Sequence, residues 1–563
     1  MSLTRAIPYA ARLALAAALA AAAPARAQTY HALDDDAAAR IVALHNAETT
    51  SRFAGDALVA PGTELRGDIA ILNGPLVLEG SIVGRVLVVN GSAILAPGSS
   101  VTGDLIVVGG DIEGAENAAV DGRLVVYREA LTYRRVGELI ALDDPEPITG
   151  VRAGRDFGFG RTTFSLAMRG AYNRVEGMPI AFGPRLALGR SNPTVVDASL
   201  IYRTAGAFTA EGSQLGHVLR VEQFVGGHGR VRVGLAHRSE VVPIETNGLT
   251  DTEASLATFV LHRDVRDHYE REGWSAYLRW TNERRALDAT LEYRNEEHAT
   301  RDALTPWTLF DNGDSFRPQP LAADGDLESL VLSLEHDTRN ALRDPSSGWW
   351  VRFESEQGLG GDITARQSPD GAGGVSAADA VADARFTALT VDARRYLRFG
   401  PLTRAAVRAW AAGSLDGGRL PAQRQHTLGG EGTLPGFELF AFDCGARRAI
   451  AEDDGEPHFL YYGCDRAVLG QLLVEHTLPF IRPLGRSLGL DFDFGHEPAV
   501  AAFFDIGRAW IEDDALQGRE RGRSTFSYDA GLGLRLGRIG FYWALPLSHD
   551  GSVNFFVRIG PRI

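Results

Sequence analysis

The sequence contains no lysine. All 57 basic side chains are arginine, set against 72 acids, and the formal charge is −15. A chain this acidic is not built to neutralise phosphate backbones, which argues against nucleic acid as a partner. Only 2 of the 563 residues are cysteine, too few for a disulfide scaffold or a Cys-rich zinc module. Several catalytic signatures are missing too: there is no His-Glu-x-x-His, no phosphate-binding loop with lysine and no Cys-x-x-Cys. The 14 histidines are scattered, and the aspartates at 34–36, 453–454 and 513–514 fit either calcium ligands or, more commonly, solvated loop faces. The sequence therefore assigns no catalytic residue, no metal and no cofactor. Long hydrophobic runs are also lacking: beyond residue 27 no stretch approaches the roughly 18 apolar residues that a membrane helix needs.

What is present begins with a leader. Arg5 and Arg12 flank the start of an apolar run that extends from Leu13 to Ala23, and Ala25-Arg26-Ala27 fits the small-x-small cleavage pattern. Residues 1–27 are therefore predicted to be a secretory signal peptide, cleaved before Gln28. The run is too short for a membrane anchor and stops at Pro24. An exported chain without a spanning helix is soluble, surface-attached or a β-barrel. Residues 28–57 read as a helical linker, with Asp34 to Asp36 at the dipole-favoured end of a short amphipathic helix.

Residues 58–130 repeat. Gly67-Asp-Ile-Ala-Ile-Leu-Asn-Gly74, Gly84-Arg-Val-Leu-Val-Val-Asn-Gly91, Gly103-Asp-Leu-Ile-Val-Val-Gly-Gly110 and Gly122-Arg-Leu-Val-Val-Tyr127 align, with starts 17, 19 and 19 residues apart. That period is too short for helical pairs and fits one turn of a parallel β-solenoid, with glycines at corners that need positive φ. The rungs resemble the bactofilin-like, polymer-forming β-helix. The resemblance implies a periplasmic module that self-associates or contacts the cell wall; a folded plug or spacer is the plainer reading of the same rungs.

After a linker over 131–150, residues 151–563 change texture. Segments of about ten residues alternate apolar and polar, as in Thr163–Arg169, Arg230–Ala236, Ser275–Trp280, Trp350–Glu354 and Val553–Arg558, with Arg and Glu in mid-strand. Alternation alone fits a soluble sandwich with charges outside or a membrane barrel with charges inside. Some sixteen strands at about 26 residues each, counting connections, favour the barrel. The fold class is all-β: a transmembrane antiparallel β-barrel of about 16 strands behind a small N-terminal parallel β-solenoid. Residues 301–325 and 358–380 read as polar outer loops, and Trp349, Trp350, Tyr542 and Trp543 as an interfacial girdle.

The segment Leu428-Gly-Gly-Glu-Gly-Thr-Leu-Pro-Gly-Phe437 resembles the lumen-inserted loop of the BamA/TamA-type barrels, the bacterial surface antigen family. Asn173-Arg-Val-Glu-Gly177, Asp337-Thr-Arg-Asn340, Gly470-Gln-Leu-Leu-Val-Glu475, Phe503-Phe-Asp-Ile-Gly507 and Ala530 to Pro546 follow the family in order. The resemblance implies an outer-membrane barrel that sits in lipid and translocates or inserts a client outer-membrane or secreted protein, or a lipid. First and last strands (about Arg155–Arg174 and Ser552–Gly560) would part laterally while Gly429, Gly430, Gly432, Gly436 and Phe437 brace the lumen. It also implies that a loop arginine meets acids on the barrel wall, here Glu475 and Asp505.

Three departures accompany it. Pro435 stands where that arginine belongs, so either Arg447, Arg448 or Arg466 supplies the charge or the loop is held differently. The chain closes on Pro561-Arg562-Ile563 rather than an aromatic, with Phe555 and Phe556 as substitutes. Solenoid rungs stand where the family has strand-and-helix recruitment domains, which favours the competing reading of a passive pore or structural surface barrel. Cys444 and Cys464, inside the same large loop, either form a bridge or remain two thiols.

Overall fold

The computed structural model describes residues 29–563 except 32, 34, 128–129, 132, 137, 143–149, 158–159, 190–191, 207–213, 227–229, 247, 283–284, 311–314, 340–344, 366–379, 401, 417–419, 445–449, 454–455, 460–462, 479–497 and 512–524. The leader, Arg447 and Arg448 lie outside the described residues. The chain divides at Thr132–Tyr133 into two compact units.

In the first unit, helix α1 (Asp35–Asn46) buries Ala37, Ala38 and Ile41. Three parallel sheets then wind as a solenoid. One stacks Thr50–Ala54, Asp68–Leu72, Val86–Val89, Leu105–Val108 and Leu124–Tyr127, and Thr29–His31 pairs in parallel onto the last of these. Ile69, Ile71, Leu76, Leu78, Ile82, Val86 and Val88 share the apolar interior. Of the glycines that open the rungs, Gly67 has the expected positive φ (108°), while at the corners that close them the left-handed residues are Asn73 (φ 52°), Asn90 (φ 54°) and Gly109 (φ 69°). Gly74, Gly91 and Gly110 follow them because a Cβ there would strike the backbone of the rung below. Alternating charges set the register: Asp68 meets Arg85 at 2.6 Å and Asp104 meets Arg123 at 2.7 Å. Those arginine hydrogen bonds hold both carboxyls below the usual range.

The second unit opens with a hairpin, Tyr133–Val136 against Leu139–Leu142, inside the stretch read as linker. It continues as a single antiparallel sheet of seventeen strands in sequence order. These are β1 Gly150–Phe157, β2 Gly160–Met168, β3 Pro179–Leu188, β4 Thr194–Arg203, β5 Leu215–Val225 and β6 Val231–Pro243. Next come β7 His268–Asn282, β8 Leu287–Ala299, β9 Gly325–Asp337, β10 Gly348–Ala365, β11 Ala380–Arg398 and β12 Thr403–Ser414. The last are β13 Arg466–Thr477, β14 Ala499–Trp510, β15 Ser527–Leu536, β16 Ile539–Pro546 and β17 Asn554–Ile559. Helix α2 (Asp251–Leu261) lies between β6 and β7.

Burial resolves the ambiguity of the alternation. Along β14, Ala501, Phe503 and Asp505 are buried while Val500 and Phe504 are exposed. On other strands Leu235, Leu532 and Phe555 are more than half exposed (60%, 66% and 57%), whereas Asp197, Glu222, Glu240, Glu356, Asp392 and Glu475 are buried. So large an apolar belt around a charged interior has lipid as its natural solvent. The inward acids are paired, as with Arg220–Asp197 at 2.6 Å, Arg271–Glu240 at 2.7 Å and Arg408–Asp392 at 2.9 Å. No helix among the described residues is long and apolar enough to cross a membrane.

Several expectations shift. What reads as one first strand over 155–174 is the end of β1, the connection and β2, which pair directly. Residues 358–365 belong to β10: Gly360 and Gly361 sit in a register shift, so Gly-Leu-Gly-Gly is a bulge within the strand and not a loop. Residues 301–324 are a connection, yet Phe316, Leu321, Ala322 and Ala323 are buried in it. In the girdle, Trp349 and Trp543 face outward, but Tyr542 points inward onto Phe503 and Phe556. Strand length also varies around the sheet: β10 and β11 have 18 and 19 residues, β1 has 8 and β17 has 6. Among the described residues no strand pairing joins β1 to β17.

Candidate functional site

Between β12 and β13 the described residues 420–444 pack against buried, inward-facing residues of the sheet. The tip turns on Gly429 (φ 113°) and Gly430 (φ 89°), a conformation that side-chain-bearing residues rarely adopt. Thr433 clasps it: Gly429 N–H donates to Thr433 Oγ1 at 2.9 Å, and the hydroxyl donates to the Gly429 carbonyl at 3.0 Å. Leu428 and Leu434 are buried against Gly507 of β14, where a Cβ would lie 2.9 Å from Leu428 Cδ1. Gly436 N–H donates to Asp529 Oδ2 of β15 at 2.8 Å, and a Cβ there would come within 2.7 Å of Asp529 Cβ. The Gly432 carbonyl faces Gly248, which precedes α2. Phe437 packs edge-to-face on Phe442 at 4.9 Å.

The stem is tied to the facing wall. Arg424 grips Glu356 of β10 with two nitrogens, Nε–Oε2 at 2.6 Å and Nη2–Oε1 at 3.1 Å, and donates to Tyr269 Oη at 2.8 Å. His426 Nδ1 lies 2.8 Å from Glu245 Oε1, and Thr427 N–H donates to Glu245 Oε2 at 3.1 Å. Cys444 and Cys464 are joined in a disulfide, with Cα atoms 4.9 Å apart, inside the apolar cluster of Leu428, Leu434 and Phe442.

Of the three arginines proposed for the two wall acids, Arg466 is the one among the described residues. Arg466 donates its Nε–H to the Ser414 carbonyl at 2.9 Å. Glu475 is held by Arg404 of β12 and, at 3.2 Å, by Arg535 of β15. Asp505 takes a forked contact from Arg562, beyond β17, through Nη2–Oδ2 and, at 3.2 Å, Nη1–Oδ1. Gln471 Nε2 bridges the Asp505 carboxylate at 3.2 Å and the Thr433 carbonyl at 3.0 Å. Asp529 lies directly across from Asp505 in the β14–β15 register, and both are fully buried.

A second knot surrounds α2. Thr250 and Glu253 form a capping box, a Thr-x-x-Glu signal legible in the sequence and passed over there. Glu253 also reaches β17, accepting from Ile559 N–H at 2.8 Å and Arg558 Nε at 2.7 Å. In the Asn173–Gly177 segment, Arg174 is fully buried between Asp264 at 3.0 Å and Asp267 at 2.6 Å. Burial pushes the neighbouring Glu176 carboxyl up to about 7, against the pull of Arg203. Arg424, Arg562 and Glu253 pair across long sequence separations, so no local pattern marks them.

No group of three His, Cys, Asp or Glu side chains suited to a metal ion occurs among the described residues. The site is thus a set of buried ion pairs and hydrogen bonds between one loop, the wall and the last strand, suited to holding or releasing parts of the barrel.

Residues 254–560 match the Omp85 superfamily domain. Among solved structures, BamA from Haemophilus ducreyi lacking POTRA domains 1–3 aligns with 14% identity and a TM-score of 0.44, covering 73% of this chain and 70% of that one. CdiB from Acinetobacter baumannii aligns at 10% identity and TM-score 0.32, over 73% of this chain and 59% of that one. CdiB from Escherichia coli gives 14% identity and TM-score 0.30, over 72% and 63%. No curated protein matches by sequence.

Proposed function

The chain belongs to the Omp85 superfamily, and we propose that it inserts or translocates a polypeptide client by parting β1 from β17. A place among outer-membrane proteins that translocate or insert polypeptide comes with the family. The gate and its brace are our reading. The observation that carries it is the sheet's open end: β1 and β17 share no pairing among the described residues, and β17, with 6 residues, is the shortest strand of the sheet. An unpaired edge offers backbone donors and acceptors to an incoming strand. The stem of the loop between β12 and β13 stays held to β10 through Arg424 and Glu356 while that edge moves. We place the solenoid in the periplasm, behind a cleaved leader, as a contact module for a second copy or the cell wall. A passive pore is the weaker reading, because the loop between β12 and β13 is tied to buried, inward-facing residues of the sheet.

In-cell photocrosslinking tests the gate. Val151 on β1 and Val557 on β17 are exposed (73% and 43%). A benzophenone side chain at either position is expected to capture nascent outer-membrane or secreted polypeptide, while one at the outward Leu359 of β10 captures none. Equal labelling at all three positions, or none at any, would remove the gate.

A further inference from the structure

Asp505 and Asp529 face each other on adjacent strands, both without solvent contact. Two carboxylates in such a place need a cation or a shared proton, because burying unbalanced charge is costly. The cation is Arg562. Its guanidinium is fully buried, forks onto Asp505 and lies 3.9 Å over the Phe503 ring. Ile563 is buried beside it, in a cluster with Tyr396, Leu473, Phe503 and Phe556, and Tyr396 Oη donates to its carbonyl at 3.2 Å.

The same acids hold the loop. Asp529 receives Gly436 N–H at 2.8 Å, and Gln471 links Asp505 to the Thr433 carbonyl. Residue 562 follows β17 by three positions, and Gly560 between them turns at φ 114°. A shift of β17 therefore drags Arg562 off Asp505, and leaves an unbalanced pair of buried carboxylates at the two points where the tip is held, Gly436 N–H on Asp529 and Gln471 of β13 between Asp505 and Thr433. Asn554 of β17 adds a second tie, donating from Nδ2 to the Pro435 carbonyl at 3.2 Å.

We propose that Arg562 is the positioning residue that couples the last strand to the lumen loop: it supplies from beyond β17 the charge that Pro435 leaves out of the loop, and its release loosens the loop tip. The consequence for client handling rests on the gate proposed above. The coupling itself is read without any client, so failure of one is distinguishable from failure of the other.

The test uses the full chain in detergent and thermolysin, with cleavage read at the bond before Phe437, which is cut when the tip is free; the bond before Leu434 is not read, because Pro435 after it blocks the enzyme. R562Q is expected to raise cleavage at the tip roughly tenfold or more while cleavage in the other described loops stays unchanged. R562K, a cation without the fork, should fall between. P435R in the R562Q background returns a guanidinium to the same acids and should restore protection. Unchanged tip cleavage in R562Q would overturn the coupling, and so would a barrel-wide loss that P435R does not repair. If R562Q does not fold, recovery of a folded barrel by P435R/R562Q supports the proposal and failure of both rejects it.

Discussion

Replacing Arg424 with methionine is expected to lower the unfolding free energy of the barrel by about 3–5 kcal/mol, the usual loss when one partner of a buried ion pair is removed. Methionine keeps much of the aliphatic stem, so the loss isolates the guanidinium. Glu356 is buried, and its contact with Arg424 is bidentate. Without Arg424 its carboxylate keeps only the Ser329 hydroxyl and the charge of Arg294, with no forked guanidinium, and Tyr269 Oη loses its donor as well. Guanidinium-induced unfolding in micelles reads the change. The double variant R424M/E356Q removes the stranded charge and should recover more than half of the loss, since an amide in that position still hydrogen-bonds. A double variant no better than R424M would mean that packing of the stem, not charge, holds the loop to β10.

Arg174→Met should have an effect of similar size, about 3–5 kcal/mol, felt in a different place. The Arg174 side chain has no solvent exposure and lies between two carboxylates, Asp264 and Asp267, that are equally buried. It also donates to the Arg266 carbonyl at 2.5 Å and the Pro318 carbonyl at 3.3 Å, so it knits three connections together. Arg317 remains beside Asp267 after the substitution, but no other side-chain ion pair reaches Asp264 among those described. The expected signature is local: faster proteolysis within residues 244–267 and 300–324, with Arg424 and Glu356 still engaged. Coupled loss of the loop at 415–465 would show that the two knots are one unit. D264N in the same background should return part of the stability by removing the orphaned charge.

Much of the architecture was legible because it is periodic. Alternation with Arg and Glu in mid-strand placed charge on one face of each strand, and strand number then favoured a barrel over a sandwich. The solenoid was legible for the same reason, since Gly67, Gly84, Gly103 and Gly122 mark successive rungs. What the pattern misjudged was local chemistry. Gly360 and Gly361 look like a loop in sequence because glycine permits both a turn and a bulge, and only pairing with β9 and β11 separates them. Tyr542 and Trp543 are neighbours, yet alternation sends one inward and the other to lipid.

The site was legible in its stationary parts alone. Gly429, Gly430 and Gly436 carry backbone requirements that no other residue meets easily, so they leave a trace in the sequence. Glu475 and Asp505 were identified as wall acids, and both lie buried in ion pairs. Their partners were not identified, because an arginine's reach depends on which strand ends lie nearby. Arg404 and Arg535 come from strands flanking Glu475's own neighbourhood, and Arg562 arrives from beyond the last strand. Fifty-seven residues separate Asp505 from Arg562, and nothing in either local segment points to the other.

The central claim is that the sheet is weakest where its first and last strands meet. Amide hydrogen exchange in lipid nanodiscs measures this strand by strand. If the account is right, amides of β1 and β17 exchange at least about 100-fold faster than the paired amides of β10 and β11, and β2 and β16 fall between. Uniform protection around all seventeen strands would contradict it, because a seam as firmly held as the β10–β11 hairpin does not open.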